Sequence, residues 1–310
     1  MRCLVTGATG HIGSHLIRSL LKNDAEVAVL LRPTSDVWRI EDALSRLHII
    51  TGDLSSICEA DRLVRGFAPE VVFHLAWHGV SKHLRNDASQ LSQNVSGSIE
   101  LLRIAYESGC RRWIGLGSQA EYGLYDMILT ENLATRPVTH YGRAKLYVCL
   151  LAQKLCEDWK MDFVWPRLTA SYGPMDNTDH LIPSVVLSLL RGARKALTAG
   201  EQRWDYLYVD DVVDAIFKLA IAPGANGIFN LGSGTSHTVR TVVERIRDLI
   251  DPSLPLGFGE APYNGEEIRN LQVDNSRLRQ ATGWSPQVSL DEGLRRTVDW
   301  YSRKYASNTG

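Results

Sequence analysis

The sequence predicts an α/β fold, a doubly wound parallel sheet with a smaller C-terminal lobe, and three observations support it. Short apolar strands alternate with amphipathic helices as far as residue 166, as in consecutive βαβ units. The strands are nearly continuous apolar runs, which is typical of strands covered on both faces. After residue 166 the alternation gives way to turn-rich segments such as "YGPMDNTD" at 172–179.

Each element follows from a local pattern. In the helix predicted at 11–24, Leu16, Ile17 and Leu20 share one apolar face. Pro33 ends the second strand, and Gly109 has the position of a helix C-cap. The predicted strands, in order, are "CLVTG", "EVAVLLRP", "RLHIITGDL", "EVVFHLAW", "RRWIGLGS" and "DFVWPRL". The later helices include "SQNVSGSIELLRIAYESG", "YGRAKLYVCLLAQKLCEDW" and "LIPSVVLSLLRG".

The change of pattern also predicts the domain boundaries. Residues 1–166 form the first domain. The chain returns to this domain at about 205–222, in the segment "WDYLYVDDVVDAIFKLAI". Residues 167–204 and 223–310 form the second lobe. We expect this lobe to lie over the C-terminal edge of the sheet, and the crevice between them is where an open α/β sheet binds ligands.

The composition excludes several classes of protein. The chain has 310 residues, 44% of them hydrophobic, and a net charge of −1, so nothing indicates binding to nucleic acid or to an acidic membrane. We find no signal-peptide pattern and no apolar run of the length that a membrane span requires, about 18 residues. The five cysteines lack metal-ligand spacing. We therefore expect no metal site, and reduced thiols in a cytoplasmic protein.

Three glycines lie between the first strand and the first helix, in "LVTGATGHIG" at 4–13. A loop without side chains lets an anion reach the backbone N–H groups at the positive end of the helix. This position after a buried strand indicates a loop that binds the pyrophosphate of a dinucleotide. Residues 1–166 are therefore predicted to be a dinucleotide-binding domain. The alternative is that the glycines form a purely structural turn. The predicted contacts in the loop are Gly7, Thr9, Gly10, His11, Ile12 and Gly13.

The end of the second strand indicates which dinucleotide binds. Such folds usually place an acidic residue there to bind the adenosine ribose, but this sequence has Arg32. A guanidinium binds a phosphate and cannot accept a hydrogen bond from a hydroxyl, so NADP(H) is preferred. NAD(H) remains possible if Arg32 is an ordinary solvated arginine. Asp53 either contacts the adenine edge or caps a turn. Further predicted cofactor contacts are Leu54, Leu75 and Ala76.

A serine, a tyrosine and a lysine suggest proton-transfer chemistry. Tyr141 and Lys145 are four residues apart at the start of a helix, so both side chains lie on one face. An ammonium close to a phenol lowers the pKa of the phenol, which can then exchange a proton with a carbonyl oxygen. Ser118 ends a strand at the ligand-binding edge and could hold the same oxygen. Tyr and Lys at this spacing also occur by chance.

Together these motifs resemble the extended short-chain dehydrogenases/reductases, the family of nucleotide-sugar epimerases, dehydratases and ketoreductases with a Rossmann fold. The resemblance is carried by "TGATGHIG", "GDL", "VVFHLA", "NVSGSIELL", "GSQAEYG", "YGRAK", "PRLTASYGP", "YLYVDD", "FNLGSG" and "GWSPQVSLDEGL". It implies that Tyr141 acts as general acid, that Lys145 also binds the nicotinamide ribose, and that Ser118 orients the carbonyl. It further implies that Asn94 supports the helix of the lysine, unless Asn94 only makes a local backbone bond.

The resemblance leaves several reactions open. Enzymes that resemble the 4,6-dehydratases carry an Asp and a Glu where this sequence has Gln119 and Ala120, and Glu121 lies one position too far. Dehydration needs that acid and base, so it is disfavoured. We expect NADPH-dependent reduction of a keto group, at C4 by preference, on a nucleotide-linked deoxysugar. The alternatives are an epimerase with tightly bound NAD(P), a reductase of a small non-nucleotide ketone, and a non-catalytic dinucleotide sensor.

The predicted substrate lobe departs from the family pattern in two places. Ala170 and Trp204 replace residues that the family often uses, and Arg203 could take over by a one-residue shift. Arg269 matches an arginine that pairs with the diphosphate, or is a surface charge. His78 and His83 follow the fourth strand and are either cleft residues or ordinary surface histidines. The predicted substrate-binding residues are His78, Gln119, Tyr172, Arg203 and Arg269.

The helices near 86–108 and 141–158 carry apolar residues on more than one face. One face covers the sheet, so a second face needs another partner. The resemblance implies a homodimer in which these helices form a four-helix bundle.

Overall fold

The computed structural model describes residues 1–263 and 269–307. Its strands are β1 (Arg2–Thr6), β2 (Glu26–Leu31), β3 (His48–Thr51), β4 (Val71–His74), β5 (Arg112–Gly115), β6 (Gly117–Ser118), β7 (Asp162–Leu168), β8 (Ala170–Tyr172), β9 (Ala196–Leu197), β10 (Arg203–Tyr208), β11 (Gly227–Leu231), β12 (Ser236–Thr238) and β13 (Gly257–Phe258). Its α-helices are α1 (His11–Lys22), α2 (Asp61–Phe67), α3 (Ser89–Glu107), α4 (His140–Trp159), α5 (Leu181–Leu190), α6 (Val209–Ile221), α7 (Val239–Ile250), α8 (Ser276–Thr282) and α9 (Leu290–Ser307).

The central sheet is parallel, and its strand order confirms the predicted doubly wound fold. The order is β11-β7-β5-β4-β1-β2-β3, with β6 paired to β7. β2 and β3 lie on one side of β1, and the chain then crosses from β3 to β4 on its other side. The carboxyl ends of β1 and β4 therefore lie side by side, and ligands bind at such a crevice.

Helices cover both faces of this sheet. Leu16 and Leu20 of α1 pack with Ile216 of α6 against one face, and Leu101 of α3 packs with Val148 of α4 against the other. Neighbouring residues of β1 alternate between these two cores, so the strand is buried on both sides. This explains why the strands are apolar runs without a polar face.

The second lobe has its own core. Strands β8, β10 and β12 form a three-stranded sheet, and β9 pairs with β13. Helices α5, α7 and α9 pack together through an apolar cluster that includes Val186, Val243 and Leu294. Parts of the predicted lobe, residues 264–268 and 308–310, lie outside the described residues.

The structure differs from the predicted boundary after residue 222. β11 is an edge strand of the central sheet, parallel to β7, with Gly227 opposite Val164. α8 packs against β11 and α6, and its Leu278 belongs to the core of the first domain. Residues 227–231 and 276–282 therefore extend the first domain, because the edge of β7 and the face of α6 both need cover. Within the described part of the chain, no helix is both long and apolar enough for a membrane span.

A buried carboxylate fixes the end of β6. Glu121 is fully buried and accepts hydrogen bonds from the backbone N–H of Ser118 at 2.8 Å and from Nε1 of Trp165 at 3.0 Å. It also forms an ion pair with Arg167, whose Nε lies 2.7 Å from its carboxylate. A Cβ on Gly117 would overlap the Trp165 ring, so this glycine makes room for the indole. These contacts tie β6 to β7.

Glu121→Gln should destabilise the protein strongly. The change leaves the Arg167 guanidinium buried without a charged partner, and such a change lowers the free energy of unfolding by about 3–5 kcal/mol. Urea denaturation followed by circular dichroism measures this loss. The matched control is Glu157→Gln, whose side chain is 74% exposed and which should leave the midpoint unchanged. Equal midpoints for the two variants would contradict the structural role of Glu121.

Candidate active site

The glycine loop joins β1 to α1 in a conformation that requires glycine. Gly7 has φ +72°, and a Cβ there would lie 2.7 Å from the amide nitrogen of Ala76. A Cβ on Gly13 would overlap the carbonyl oxygen of Gly7, so α1 approaches β1 closely only because residue 13 has no side chain. The loop thus meets Leu75 and Ala76, two of the predicted cofactor contacts, at one edge of the sheet.

The N-terminus of α1 is open to an anion. Gly10 precedes the helix in an extended conformation, and no side chain caps the first turn. The first N–H groups of the helix, those of His11 and Ile12 among them, therefore have no intrahelical acceptor. The helix dipole adds partial positive charge at the same place. An uncapped helix end beside a cradle that a Cβ would fill fits a pyrophosphate group.

The glycine loop also contacts Arg39 and the second lobe, and the sequence analysis missed the residues on that side, Arg39, Met175 and Asp176. Arg39 donates from Nη1 to the carbonyl oxygen of Thr9 at 3.3 Å and from Nε to that of Met175 at 2.8 Å. His11 Nδ1 lies 3.3 Å from the carboxylate of Asp176, and burial lowers the pKa of His11 to about 4. Since these contacts join distant segments of the chain, no local pattern indicated them.

Around the predicted adenosine site, the three residues have different environments. Arg32 follows β2 and is exposed. The carboxylate of Asp53 accepts hydrogen bonds from the backbone N–H and the hydroxyl of Ser55, both at 2.9 Å. Of the two roles considered for Asp53, the structure therefore shows the cap of a turn. Leu54 packs against α3, where its carbonyl oxygen lies so close to Gly97 that a Cβ there would overlap it.

The structure brings Ser118 and Tyr141 together. The Ser118 hydroxyl is close enough to the Tyr141 phenol to lower the pKa of Tyr141, and Tyr141 is buried. The Ser118 hydroxyl also accepts from the backbone N–H of Ala120 at 3.2 Å, so its position is fixed by the turn that follows β6. Two hydroxyl groups in this arrangement can bind one carbonyl oxygen between them.

The protonation of Tyr141 differs from the sequence-based expectation. We predicted that Lys145 lowers the pKa of the phenol, but burial raises the pKa of Tyr141. The main opposing charge is Arg85, whose guanidinium lies 5.2 Å from the centre of the Tyr141 ring. The carbonyl oxygen of Arg85 accepts from the backbone N–H of Tyr141 at 2.8 Å, which holds the loop against α4. Arg85 is thus a site residue that the sequence analysis missed.

Lys145 is buried next to this pair. Its Nζ donates to the carbonyl oxygen of Leu116 at 2.7 Å and lies 3.7 Å from the centre of the Trp77 ring. Burial lowers the pKa of Lys145 to about 7, and the nearby carboxylate of Glu121 opposes the decrease. The charge on this ammonium is therefore sensitive to small changes in its surroundings near neutral pH.

Asn94 makes the local backbone bond that was considered for it, and its support of the lysine's helix stays a prediction. It makes the local backbone bond, from Nδ2 to the carbonyl oxygen of Gln90 at 2.9 Å. It also binds the loop after β4: Oδ1 accepts from the backbone N–H of His78 at 2.7 Å, and Nδ2 donates to the carbonyl oxygen of the same residue at 3.2 Å. Asn94 therefore holds the loop that carries Trp77.

Gln119 lies where the resemblance to the 4,6-dehydratases implies an acidic residue. Its amide side chain can neither donate nor accept a proton as an acid or base would. Its side chain is buried next to Ser118, and Oε1 has no hydrogen-bond partner among the described residues. A buried unpaired acceptor is costly, so this oxygen is suited to accept a bond from a ligand. Glu121 is not available as an acid or base, because its oxygens are engaged by Ser118, Trp165 and Arg167.

One predicted substrate contact is wrong, and two remain proposals. Tyr172 is 2% exposed in the core of the second lobe, and its hydroxyl donates to the carbonyl oxygen of Leu290 at 3.4 Å, so it does not face a ligand. Arg203 donates to the carbonyl oxygen of Ser236 at 2.7 Å. Arg269 is adjacent, since its carbonyl oxygen accepts from the Arg203 backbone N–H at 2.8 Å.

The two histidines after β4 are exposed. His78 and His83 have solvent-accessible side chains, and their contact with a substrate stays a prediction. Among the residues that the structure describes, no group of histidine, cysteine and acidic side chains could hold a metal ion.

The dinucleotide cradle and the hydroxyl pair at one sheet edge define an oxidoreductase-type enzyme that depends on a nicotinamide dinucleotide. A family model described as the NAD dependent epimerase/dehydratase family matches residues 3–232. The chain belongs to this family, the extended short-chain dehydrogenases/reductases, which confirms the resemblance inferred from the motifs.

Individual relatives catalyse different reactions. A UDP-glucose 4-epimerase of Mycolicibacterium smegmatis is 30% identical over 98% of this chain and 99% of its own length. The solved UDP-glucose 4-epimerase of Thermotoga maritima, with UDP-glucose, has a TM-score of 0.90 and 27% identity, covering 98% of this chain and 100% of that chain. The solved dTDP-glucose 4,6-dehydratase DesIV of Streptomyces venezuelae, with NAD and TYD bound, has a TM-score of 0.89 and 26% identity, covering 99% and 98%.

Gly13→Ala should weaken dinucleotide binding. The added methyl group overlaps the Gly7 carbonyl oxygen, so either the loop or α1 must move away from the pyrophosphate site. Overpacking of this kind corresponds to about 1–3 kcal/mol, or about 5- to 150-fold in the dissociation constant. Titration of NADPH and NADH fluorescence measures it. Gly66→Ala is the matched control, because a Cβ on this glycine of α2 meets nothing within 4 Å. Unchanged affinity in Gly13→Ala would exclude the loop as the binding site.

Proposed function

We propose that this enzyme reduces a keto group, at C4 by preference, on a nucleotide-linked deoxysugar, with NADPH as the reductant. The observation that carries the proposal is that Tyr141 has no competing acid or base beside Ser118. Gln119 and Ala120 cannot transfer a proton, and Glu121 is held by a buried arginine. Removal of water from a sugar needs a second acid–base pair, whereas reduction of a carbonyl needs only one proton donor.

The residues supply the proton side of this reaction. The reduced dinucleotide, when bound, supplies the hydride that adds to the carbonyl carbon. The Tyr141 hydroxyl donates its proton to the carbonyl oxygen, so the C=O group becomes a CH–OH group and the phenol becomes a phenolate. The Ser118 hydroxyl holds the same oxygen, and the positive charge of Lys145 stabilises the phenolate until a proton returns.

A panel of substrates tests the reaction. Nucleotide-linked 4-keto-6-deoxy sugars with different bases are incubated with NADPH, and we expect loss of absorbance at about 340 nm in proportion to product, with turnover of roughly 1–10³ per second. Tyr141→Phe should abolish it. Conversion of dTDP-glucose to a keto-deoxy sugar would contradict the proposal in favour of a dehydratase. Turnover of small non-nucleotide ketones alone would contradict a nucleotide-linked substrate. Such a substrate is favoured by Arg203 and Arg269, which lie together in the second lobe.

Epimerisation is the second candidate function. It is favoured by the 30% identity to a UDP-glucose 4-epimerase over nearly the whole of both chains. An epimerase retains its dinucleotide through the reaction, so the purified protein would contain bound cofactor. Interconversion of UDP-glucose and UDP-galactose without added cofactor would establish this function and exclude the reductase.

Arg32 supports NADPH over NADH as the reductant. Solved neighbours are described with NAD, so the preference rests on this residue of the chain itself. Arg32→Ala should raise the KM for NADPH about tenfold or more and leave the KM for NADH nearly unchanged, because only the former has a 2′-phosphate. Steady-state kinetics with both cofactors measure the ratio. The control is Arg111→Ala, an arginine with 75% side-chain exposure at the opposite edge of the sheet. Better activity with NADH in the parent enzyme would refute the assignment.

We also propose that the enzyme is a homodimer through α3 and α4. These helices pack against each other and leave large apolar side chains exposed, with Leu150 at 52% and Tyr147 at 53%. The other exposed apolar residues of this face are Leu91, Tyr106 and Leu151. A face of this kind on two adjacent helices would be covered by the same helices of a second chain.

Leu150→Asp should therefore give a monomer. A charge placed in the centre of the proposed bundle would be buried without a partner, which opposes association. Size-exclusion chromatography with light scattering measures the mass. Leu249→Asp is the matched control, since Leu249 is a 42% exposed leucine on α7 and should leave the assembly unchanged. A parent protein that elutes as a monomer would overturn the proposal directly.

A further inference from the structure

In the described part of the chain, two groups contact the buried ammonium of Lys145. One is the carbonyl oxygen of Leu116, at 2.7 Å from Nζ. The other is the face of Trp77, with 3.7 Å between Nζ and the ring centre. Burial removes the water that would otherwise surround this cation, so the groups that contact Nζ determine how well its charge is tolerated. The electron-rich face of an indole is the best aromatic surface for such a cation.

Polar side chains of α3 hold the Trp77 ring in this position. Its Nε1 donates to Oε1 of Gln90 at 2.9 Å, and the Gln90 amide donates in turn to the carbonyl oxygens of Gly79 at 2.6 Å and Leu84 at 3.0 Å. Asn94 fixes the backbone of His78 next to the tryptophan. Gln90 and Asn94 are both almost fully buried. The ring is therefore placed by a specific network that ends on the indole nitrogen.

The same ring faces the other member of the catalytic pair. The centres of the Trp77 and Tyr141 rings are 6.1 Å apart, and the planes are nearly perpendicular, at 81°. Trp77 thus contacts Lys145 with its face while it lies beside Tyr141. It is the residue of the loop after β4 that links both groups.

We infer that Trp77 is a positioning residue for Lys145: its ring face keeps the buried ammonium charged and holds it in place beside Tyr141. Other groups around the pair also act on its charge. Glu121 favours the charged form, and His74 of β4 interacts electrostatically with Lys145. Arg85 acts from the far side of Tyr141. Of these groups Trp77 alone contacts the ammonium through an uncharged aromatic face, so its effect can be removed without changing the net charge of the site.

The first test uses the cofactor-free protein and needs no substrate. The fluorescence of Trp77 is obtained by subtracting the emission spectrum of Trp77→Phe from that of the parent protein. This subtraction removes the emission of the other tryptophans. We expect this difference to change with pH, with a midpoint near 7, because the charge on the adjacent Nζ changes there. The change should disappear in Lys145→Met. A difference spectrum that does not depend on pH, or a dependence that persists in Lys145→Met, would overturn the inference.

The second test is the pH profile of turnover, and it rests on the proposed reductase function. Activity that needs a charged Lys145 is lost as the pH rises through the pKa of that group. Trp77→Leu removes the cation–π contact, lowers the pKa of Lys145 by about 1, and should move the alkaline limb down by the same amount. Trp77→Phe keeps a ring face, loses the bond to Gln90, and should keep the limb near that of the parent.

The two tests separate the possible failures. If Trp77→Leu and Trp77→Phe lose activity equally without moving the limb, Trp77 has only a structural role and the inference is wrong. If Trp77→Leu does not fold, the emission test still decides. If no reductase activity is found while the emission of Trp77 follows the charge of Lys145, the inference stands and the proposed function fails.

Discussion

The hydrogen bonds of the Glu121 carboxylate are the constraint on which the active site depends. This carboxylate fixes the backbone N–H of Ser118, accepts from the indole of Trp165 and neutralises Arg167. The serine is therefore held at the end of β6 by a charge that is itself buried. The same engagement removes the nearest acid from the chemistry. Position and reactivity are thus linked: the contacts that place the serine also engage the Glu121 oxygens, so this carboxylate is not free to transfer a proton.

The fold could be predicted because burial leaves a local record in the sequence. Strands covered on both faces are apolar throughout, and the apolar residues of α1 recur at helical spacing. The strands and this helix were therefore predicted correctly. β11 was assigned to the wrong domain. A strand at this point of the chain can pair with the edge of either sheet, and no local pattern shows that β11 pairs with β7. Tyr172 failed for a similar reason: a tyrosine after a strand can face a cleft or a core, and Leu290, far along the chain, decides it.

The candidate site was predictable where its residues form a motif and hidden where they meet across the fold. The glycine loop and the spacing of Tyr141 and Lys145 are local signals. Trp77 and Arg85 come from the loop after β4, and their contacts with these side chains depend on the path of that loop. That path is held by Gln90 and Asn94, two buried polar residues of α3. Buried polar residues within a helix were the available signal, and only Asn94 was recognised.

Burial acts in opposite directions on the two ionisable groups of the pair. It raises the pKa of Tyr141 and lowers that of Lys145 to about 7, so both groups are pushed towards their neutral forms. A neutral phenol is ready to donate a proton, as reduction of a carbonyl requires. Oxidation of a sugar hydroxyl, the first step of an epimerase, requires a phenolate instead. The dry surroundings of Tyr141 therefore keep the phenol protonated, as the proposed reduction requires, and the Arg85 guanidinium opposes this effect.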